Sequence, residues 1–221
     1  MEIRDPIAVS PLEAGLVIFL TFFVMVFVSA AVLLTLGNEA ALIVGELLIF
    51  IVPLFYLLGK HVDVKSYIKL NLSPKYVMIG LGCTVPLLLL NIFSAAILTT
   101  IFGSSQAVEE SNALLLGVSS SPLGLVAVVV SLALAGICEE FALRGLLQNS
   151  LARRYSFLPA VLISAAVFGI FHYDPQFVYI IAAFFSGLAL GAIYQRWGYA
   201  ASATAHSVMN IVVLVFLMYG L

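Results

Sequence analysis

Seven long apolar runs divide the chain, and they constrain its fold more than any other feature. They cover residues 11–36, 39–59, 74–102, 122–152, 157–172, 175–195 and 199–220. A helix needs about 20 residues to cross the roughly 30 Å hydrocarbon layer of a bilayer. Most runs meet that length. The fifth is short, and the fourth is long and turns amphipathic at its end. The runs are continuous and do not alternate in polarity, which predicts helices rather than barrel strands. Composition agrees: of 221 residues, 63% are hydrophobic and 9% charged, against about 25% charged in a typical soluble domain. A soluble fold of this size cannot hide so much apolar surface. The formal charge of −2 leaves no basic face for nucleic acid. The expected architecture is an all-α, polytopic membrane bundle of about seven transmembrane helices, a single integral domain over residues 1–221. The first run is too long, and its leader too acidic, for a cleaved signal peptide, so it is expected to be a true span.

Ser10-Pro11, Ser73-Pro74, Ser121-Pro122 and Asp174-Pro175 each place an N-cap acceptor before a proline at the first helical position. Pro53 and Pro86 fall inside the second and third runs and are expected to kink them. The loop bases are Arg4, Lys60, Lys65, Lys69, Lys75, Arg153, Arg154 and Arg196, and all fall on one side. The other loops carry Glu39, Glu109, Glu110 and Asp174, with no Lys or Arg. The positive-inside rule then puts the N-terminus inside and the C-terminus outside a cell membrane. The loop after the second run is expected to lie on the inner surface, with His61 as a surface residue of no special role. Loop 104–121 is Ser-rich, acidic and external. Cys83 and Cys138 lack CxxC spacing and read as buried structural thiols.

Ionisable groups within a span are costly and usually paired or functional. Here they are Glu46, Glu139, Glu140, Arg144, His172 and His206, joined by the amides Asn91 and Asn210. Glu140 and Arg144 are four apart, with the acid first, the favoured order for a helical ion pair. Glu139 lies about 100° round the helix from Glu140 and is free to face something else, as a general base would. His172 closes the fifth run as Phe168-x-x-x-His172. It and Glu139 are each about 25 Å from the Arg153–Ser156 turn, at equal height in an antiparallel hairpin. His206-x-x-x-Asn210 places two polar side chains on one face of the last helix. His206 is only about 15 Å from its own Arg196 end. It shares the level of Glu139 only if the fourth and fifth helices protrude inward or some helices tilt. The shortness of the fifth helix implies that the His172–Asp174 turn dips into the membrane and lines a cavity, with Asp174 as a helix cap. Glu46 and Asn91 are expected to hydrogen-bond neighbouring helices, and Gly187-x-x-x-Gly191 to form a close-packing face.

Glu139-Glu140-x-x-x-Arg144, Phe168 to His172 and His206 to Asn210, in this order, resemble the signature of the CAAX-processing and bacteriocin-processing (CPBP, or Abi) family of intramembrane proteases. That family includes the type II CAAX prenyl endopeptidases. The resemblance covers about residues 120–215, the expected catalytic core; the first three helices match only as generic spans. It implies an all-helical bundle with a polar chamber open to the cytoplasmic side and to lipid. Glu139 and His172 would activate water, His206 and Asn210 would stabilise the oxyanion, and Glu140 and Arg144 would support them. It also implies a membrane-anchored peptide or protein substrate, prenylated CAAX-type termini among them, with membrane lipid as surroundings.

Peptide hydrolysis needs an activated water, an oxyanion stabiliser and a proton donor for the leaving amine. No Ser or Cys has a base at an obvious spacing, which disfavours a covalent route. A metal-free, glutamate-type endopeptidase is the favoured reading. A zinc enzyme with Glu139, His172 and His206 as ligands is the alternative, although no HExxH motif is present. A proton-coupled transporter is an alternative of another class, although no internal repeat supports it.

Overall fold

The computed structural model describes residues 9–220; Arg4, one of the bases used for orientation, lies outside them. The helices are α1 (Pro11–Leu36), α2 (Asn38–Gly59), α3 (Val64–Tyr67), α4 (Pro74–Phe102), α5 (Gln106–Val118), α6 (Pro122–Glu140), α7 (Asn149–Arg154), α8 (Phe157–Phe171), α9 (Val178–Trp197) and α10 (Tyr199–Tyr219). A π-helical segment, Phe141–Gln148, joins α6 to α7. No strand occurs among the described residues. The protein is a polytopic, all-helical membrane bundle. All seven apolar runs are helical, and six helices are long and apolar enough to span a bilayer. The exception is α8. Its 15 residues reach about 22 Å, so it stops short of a full crossing. The exposed side chains of α1 and α4, such as Leu34, Phe27 and Phe93, are large and apolar, as a lipid-facing surface requires.

Three of the four Xaa-Pro starts begin helices. Ser10 forms a capping box with Glu13, and Ser121 Oγ accepts from Gly124 N at 3.0 Å. Ser73 precedes Pro74 at the start of α4, but its hydroxyl makes no capping bond. The fourth start is corrected. Asp174-Pro175 opens a turn, and α9 begins three residues later at Val178. Two carboxylate bonds explain the delay: Asp174 accepts from Gln176 N at 3.0 Å and Tyr179 N at 2.8 Å. They wind the turn tightly, with Phe177 at φ +64°. Helices α2 and α4 continue through Pro53 and Pro86. Loop 104–121 holds α5, which composition did not reveal; Ser105 Oγ caps it by accepting from Val108 N at 3.2 Å.

Glu139 and His206 meet despite their unequal distances from their helix ends. The segment 60–73 docks between the α7–α8 tip and the α9–α10 turn. Asn149 Nδ2 donates to Tyr67 O at 2.7 Å, and Tyr199 N donates to Lys69 O at 3.4 Å. His206 lies level with Glu139, its Nε2 3.9 Å from Glu139 Oε2. Tyr67 and Ile68 are buried, so this segment packs on protein rather than floating on the lipid surface. Burial, reinforced by the nearby Arg153 charge, pulls the Lys69 ammonium below its usual value.

Close helix contacts carry the level through the bundle. A Cβ on Gly136 of α6 would stand 2.3 Å from Ser207 N of α10, so the two backbones meet there, one turn before Glu139. Gly136→Ala must push α10 away. It is expected to lose about 1–3 kcal/mol, read as earlier thermal unfolding in detergent. Gly15→Ala, where nothing stands within 4 Å, is expected to leave the transition unchanged. Equal stability of the two variants would contradict the α6–α10 contact.

Candidate active site

Four helical elements converge on one polar cluster. Glu139 and Glu140 end α6, His172 caps α8, Tyr179 opens α9, and His206 and Asn210 lie within α10. The π-helical segment supplies Arg144 from below, and all eight of its residues are buried. Such segments arise where a helix absorbs an extra residue, and they are frequent at functional sites.

Glu140 Oε1 and Arg144 Nη1 lie 3.1 Å apart, and neither side chain has any solvent exposure. This is the i,i+4 pair expected from the sequence. Arg144 Nη2 donates to Gly187 O at 3.2 Å. Its guanidinium carbon stands 4.6 Å from the centre of the Phe168 ring, a cation–π distance. Four residues on, Gln148 Nε2 donates to Gly191 O at 2.9 Å. The Gly187/Gly191 face thus bares the α9 backbone to two long polar side chains. A Cβ on Gly191 would sit 2.7 Å from Gln148 Oε1.

His206 lies between the two glutamates. Its Nδ1 is 3.3 Å from Glu140 Oε1, and its Nε2 is 3.9 Å from Glu139 Oε2. The face assignment holds, with Glu140 on Arg144 and Glu139 turned elsewhere, and His206 spans the two. The two carboxyls do leave α6 in different directions, but the imidazole offers a nitrogen to each. Glu140 therefore serves His206 as well as Arg144. The 3.9 Å gap to Glu139 is too long for a direct hydrogen bond and suits a bridging water.

His172 Nδ1 bonds Phe168 O at 2.7 Å. The ring packs against Phe168 at 4.5 Å and edge-on to Tyr179 at 4.8 Å. Phe168 also meets His206 at 5.7 Å. The phenylalanine of the Phe168-x-x-x-His172 element thus touches Arg144, His172 and His206 at once. Asn210 Nδ2 points at Leu132 O from 3.4 Å.

Two cavities meet at Glu139. One, of about 230 Å³, is lined by Glu46, Glu139, His172, His206, Asn210 and Tyr179, among others. The other, of about 410 Å³, is mostly apolar and runs between α1 and α8 past Ile18, Phe22, Met25 and Phe171. Glu139, His172, Tyr179 and Ser111 border both. Glu139 Oε2 and Glu46 Oε2 are buried without a hydrogen-bond partner. Sequence reasoning gave Glu46 no part in this cluster, although an acid inside a span was itself a signal. It missed Tyr179 because the helix start was placed too early. Asn91, by contrast, makes the interhelical bond expected of it, donating to Ser186 Oγ at 3.4 Å.

Zinc would need at least three donors within about 2.0–2.3 Å of one point. Among the described residues no three His, Cys, Asp or Glu are grouped that way. Glu139, His172 and His206 as placed do not fit a zinc ion.

Residues 121–212 match the family model described as type II CAAX prenyl endopeptidase Rce1-like. Over this segment, less than half of its length, the chain is similar to the CAAX-type endopeptidases. All six clustered motif residues, from Glu139 to Asn210, lie inside the match, while α1 to α5 lie outside it. No curated protein and no solved structure matches the chain.

The two adjacent glutamates separate stability from chemistry. Removing Glu140 leaves the Arg144 charge buried and unpaired, an uncompensated loss of about 3–5 kcal/mol. The Glu139 side chain is 19% exposed and has no cationic partner of its own to strand. Glu140→Ala is therefore expected to unfold well before Glu139→Ala on heating in detergent. The reverse order would overturn the assignment of Arg144 to Glu140.

Proposed function

We propose that the protein hydrolyses a peptide bond of a membrane-held substrate, using a water activated by Glu139. The observation that carries this reading is the Glu139 carboxyl, its Oε2 without a hydrogen-bond partner and 3.9 Å from His206 Nε2, in a chamber that His172 and Asn210 also line. Glu139 takes a proton from the water as its oxygen attacks the scissile carbonyl. A lone pair on His172 Nε2, the nitrogen left free by the bond to Phe168 O, orients that water. The new C–O bond moves charge onto the carbonyl oxygen. Asn210 Nδ2 and His206 Nε2–H donate to that oxyanion. Glu139 then returns its proton to the leaving amine as the C–N bond breaks.

The apolar cavity beside Glu139 suits a hydrophobic chain. Phe22 of α1 and Phe171 of α8 stack across it at 5.1 Å, so its lateral wall is aromatic and faces lipid. Prenyl groups, as in CAAX-type termini, and long apolar side chains fit this chemistry. The protein would work as a multi-pass component of a cell membrane, on anchored peptides or proteins. The transporter reading finds less support. Beneath Glu140, where a transporter would need a second half-channel, the bundle is filled by buried Arg144, Gln148, Asn149 and Ser150.

The test is cleavage of lipidated and membrane peptides by purified protein in detergent. Glu139→Gln is expected to reduce turnover by about 10²–10⁴-fold, the range for a lost general base, with thermal unfolding unchanged. Asn210→Ala is expected to lower kcat by about 10²–10³-fold, as for a lost oxyanion donor. Stripping metal with a chelator is expected to leave the rate intact. Activity that vanishes with chelation and returns with zinc would replace the glutamate mechanism by the metal one. Met25→Trp, which fills the apolar cavity, is expected to raise KM for lipidated peptides more than for unlipidated ones; equal effects would remove the lipid-chain assignment.

A further inference from the structure

A separate cleft of about 540 Å³ opens between the 60–73 segment, the start of α4 and the α9–α10 turn. None of its lining residues borders either cavity at Glu139. Lys65, Lys69 and Arg196 line it, and among the described residues no Asp or Glu does. Backbone contacts fix its shape. Lys69 holds a left-handed conformation at φ +55°, uncommon for a residue with a side chain. Gly198 passes it so closely that a Cβ there would sit 2.7 Å from Lys69 O.

The cleft is rich in donors and short of counter-charge. The ion pairs among the described residues engage Lys60, Arg144 and His206, and leave out Lys65, Lys69 and Arg196. Asp63, the one acid of the 60–73 segment, is turned to Ser66, accepting from its N–H and its hydroxyl. Two amides join the cations, and each has its oxygen taken. Asn71 Oδ1 accepts from Ser73 N at 3.0 Å, and Gln195 Oε1 accepts from Lys69 Nζ at 3.3 Å. Their NH2 groups are left to donate. Three cations around one cleft repel one another unless an anion sits among them, and phosphate oxygens suit such donors.

Helix α9 adds an apolar half. Counting back from Arg196, the residues Ala192, Leu188 and Phe185 follow on the same face at helical spacing. Ala192 and Phe185 are exposed, and Leu188 is half-buried. The stripe runs about 16 Å by helix rise, close to half of the roughly 30 Å hydrocarbon layer, the depth of one leaflet. Tyr76 and Trp197, which also line the cleft, are of the types that settle at headgroup level.

We infer that this cleft binds the headgroup of an anionic phospholipid, with an acyl chain laid along α9. Lys65, Lys69 and Arg196 hold the phosphate, and the Asn71 and Gln195 amides donate to other headgroup oxygens. The lipid then bridges the 60–73 segment to the α9–α10 turn, beside the bond that Tyr199 N makes to Lys69 O. A free phosphate ion would match the cations but leave the stripe of α9 uncovered. The site is distinct from the proposed chemistry at Glu139 and does not depend on it.

The test titrates purified protein in neutral detergent with phosphatidylglycerol, with phosphatidylcholine of the same chains, and with inorganic phosphate. Bound lipid is counted by native mass spectrometry, and thermal unfolding is followed in parallel. Phosphatidylglycerol is expected to bind and to raise the unfolding temperature, and the other two to do neither. Lys65→Gln combined with Arg196→Gln, which takes two cations from the cleft, is expected to weaken that binding by about ten-fold or more. Lys75→Gln combined with Arg154→Gln takes two exposed cations that do not line it, and is expected to leave binding within about two-fold. Should the first pair fail to fold, Arg196→Gln alone is expected to weaken binding by about three-fold or more. Equal weakening by the two pairs would reduce the site to diffuse attraction and overturn it, as would equal binding of phosphatidylcholine or full binding by Arg196→Gln. Displacement of the lipid by inorganic phosphate, or stabilisation by phosphate alone, would overturn the lipid assignment.

Discussion

The structure depends on one buried ion pair. Glu140 and Arg144 carry opposite charges in the middle of a membrane-spanning helix, with no solvent on either. Neither charge is tolerable there alone. Together they are held by groups that cannot move independently: the Gly187 carbonyl, the Phe168 ring and the His206 ring. Each of these belongs to a different helix. The pair therefore ties α8, α9 and α10 to the π-helical segment, and it does so at the depth where the chemistry is proposed. A hydrophobic replacement of similar volume could fill the same space. It could not orient His206.

Orientation of His206 also explains how two adjacent glutamates come to differ. Glu140 meets a guanidinium and an imidazole nitrogen, so its charge is spent on fixing other groups. Glu139 opens on two cavities and keeps an oxygen unpartnered. The difference is set by helix geometry, since neighbouring positions leave a helix about 100° apart. The π-helical winding begins at the next residue, Phe141. It swings the following turn so that Arg144 and Gln148 both reach the α9 backbone, and leaves Glu139 outside that packing.

Much of this was legible in the sequence, because lipid makes charge scarce. With few charges available, each intramembrane acid or base stands out, and the Glu140–Arg144 spacing could be read as a pair. Helix boundaries were legible where Ser-Pro steps act locally, as at Pro11 and Pro122. Asp174-Pro175 misled because its carboxylate captures two N–H groups across a tight turn, a choice made by three-dimensional closure of the α8–α9 hairpin. Helix α5 was hidden by a composition rich in serine and glutamate that also fits a loop. The inclusion of Glu46 and Tyr179 in the chamber depends on how α2 and α9 pack around α6, which no spacing along one helix reports. The dual contact of His206 was missed for a related reason: a helical wheel follows backbone directions, while an imidazole can bridge between two of them.

Hydrolysis within a membrane sets two demands that conflict. Water must reach the scissile bond, yet the bundle must stay closed to ions. The fold meets both by asymmetry. Beneath the glutamates, Arg144 and Gln148 donate to the Gly187 and Gly191 carbonyls, so the floor is packed and polar. Above them the shortened α8 and the late start of α9 leave a notch in the bundle wall, and the His172–Asp174 turn lies at its edge. Backbone outside a helix is tolerable at that depth only where protein or a wet cavity solvates it, and here the Asp174 carboxylate and the chamber do so together. The same short helix that leaves this gap brings His172 to the border of the chamber that Glu139 also lines. Lengthening α8 to a full span would close the notch and carry the histidine away from the acid, so access and catalytic geometry are fixed by one structural choice.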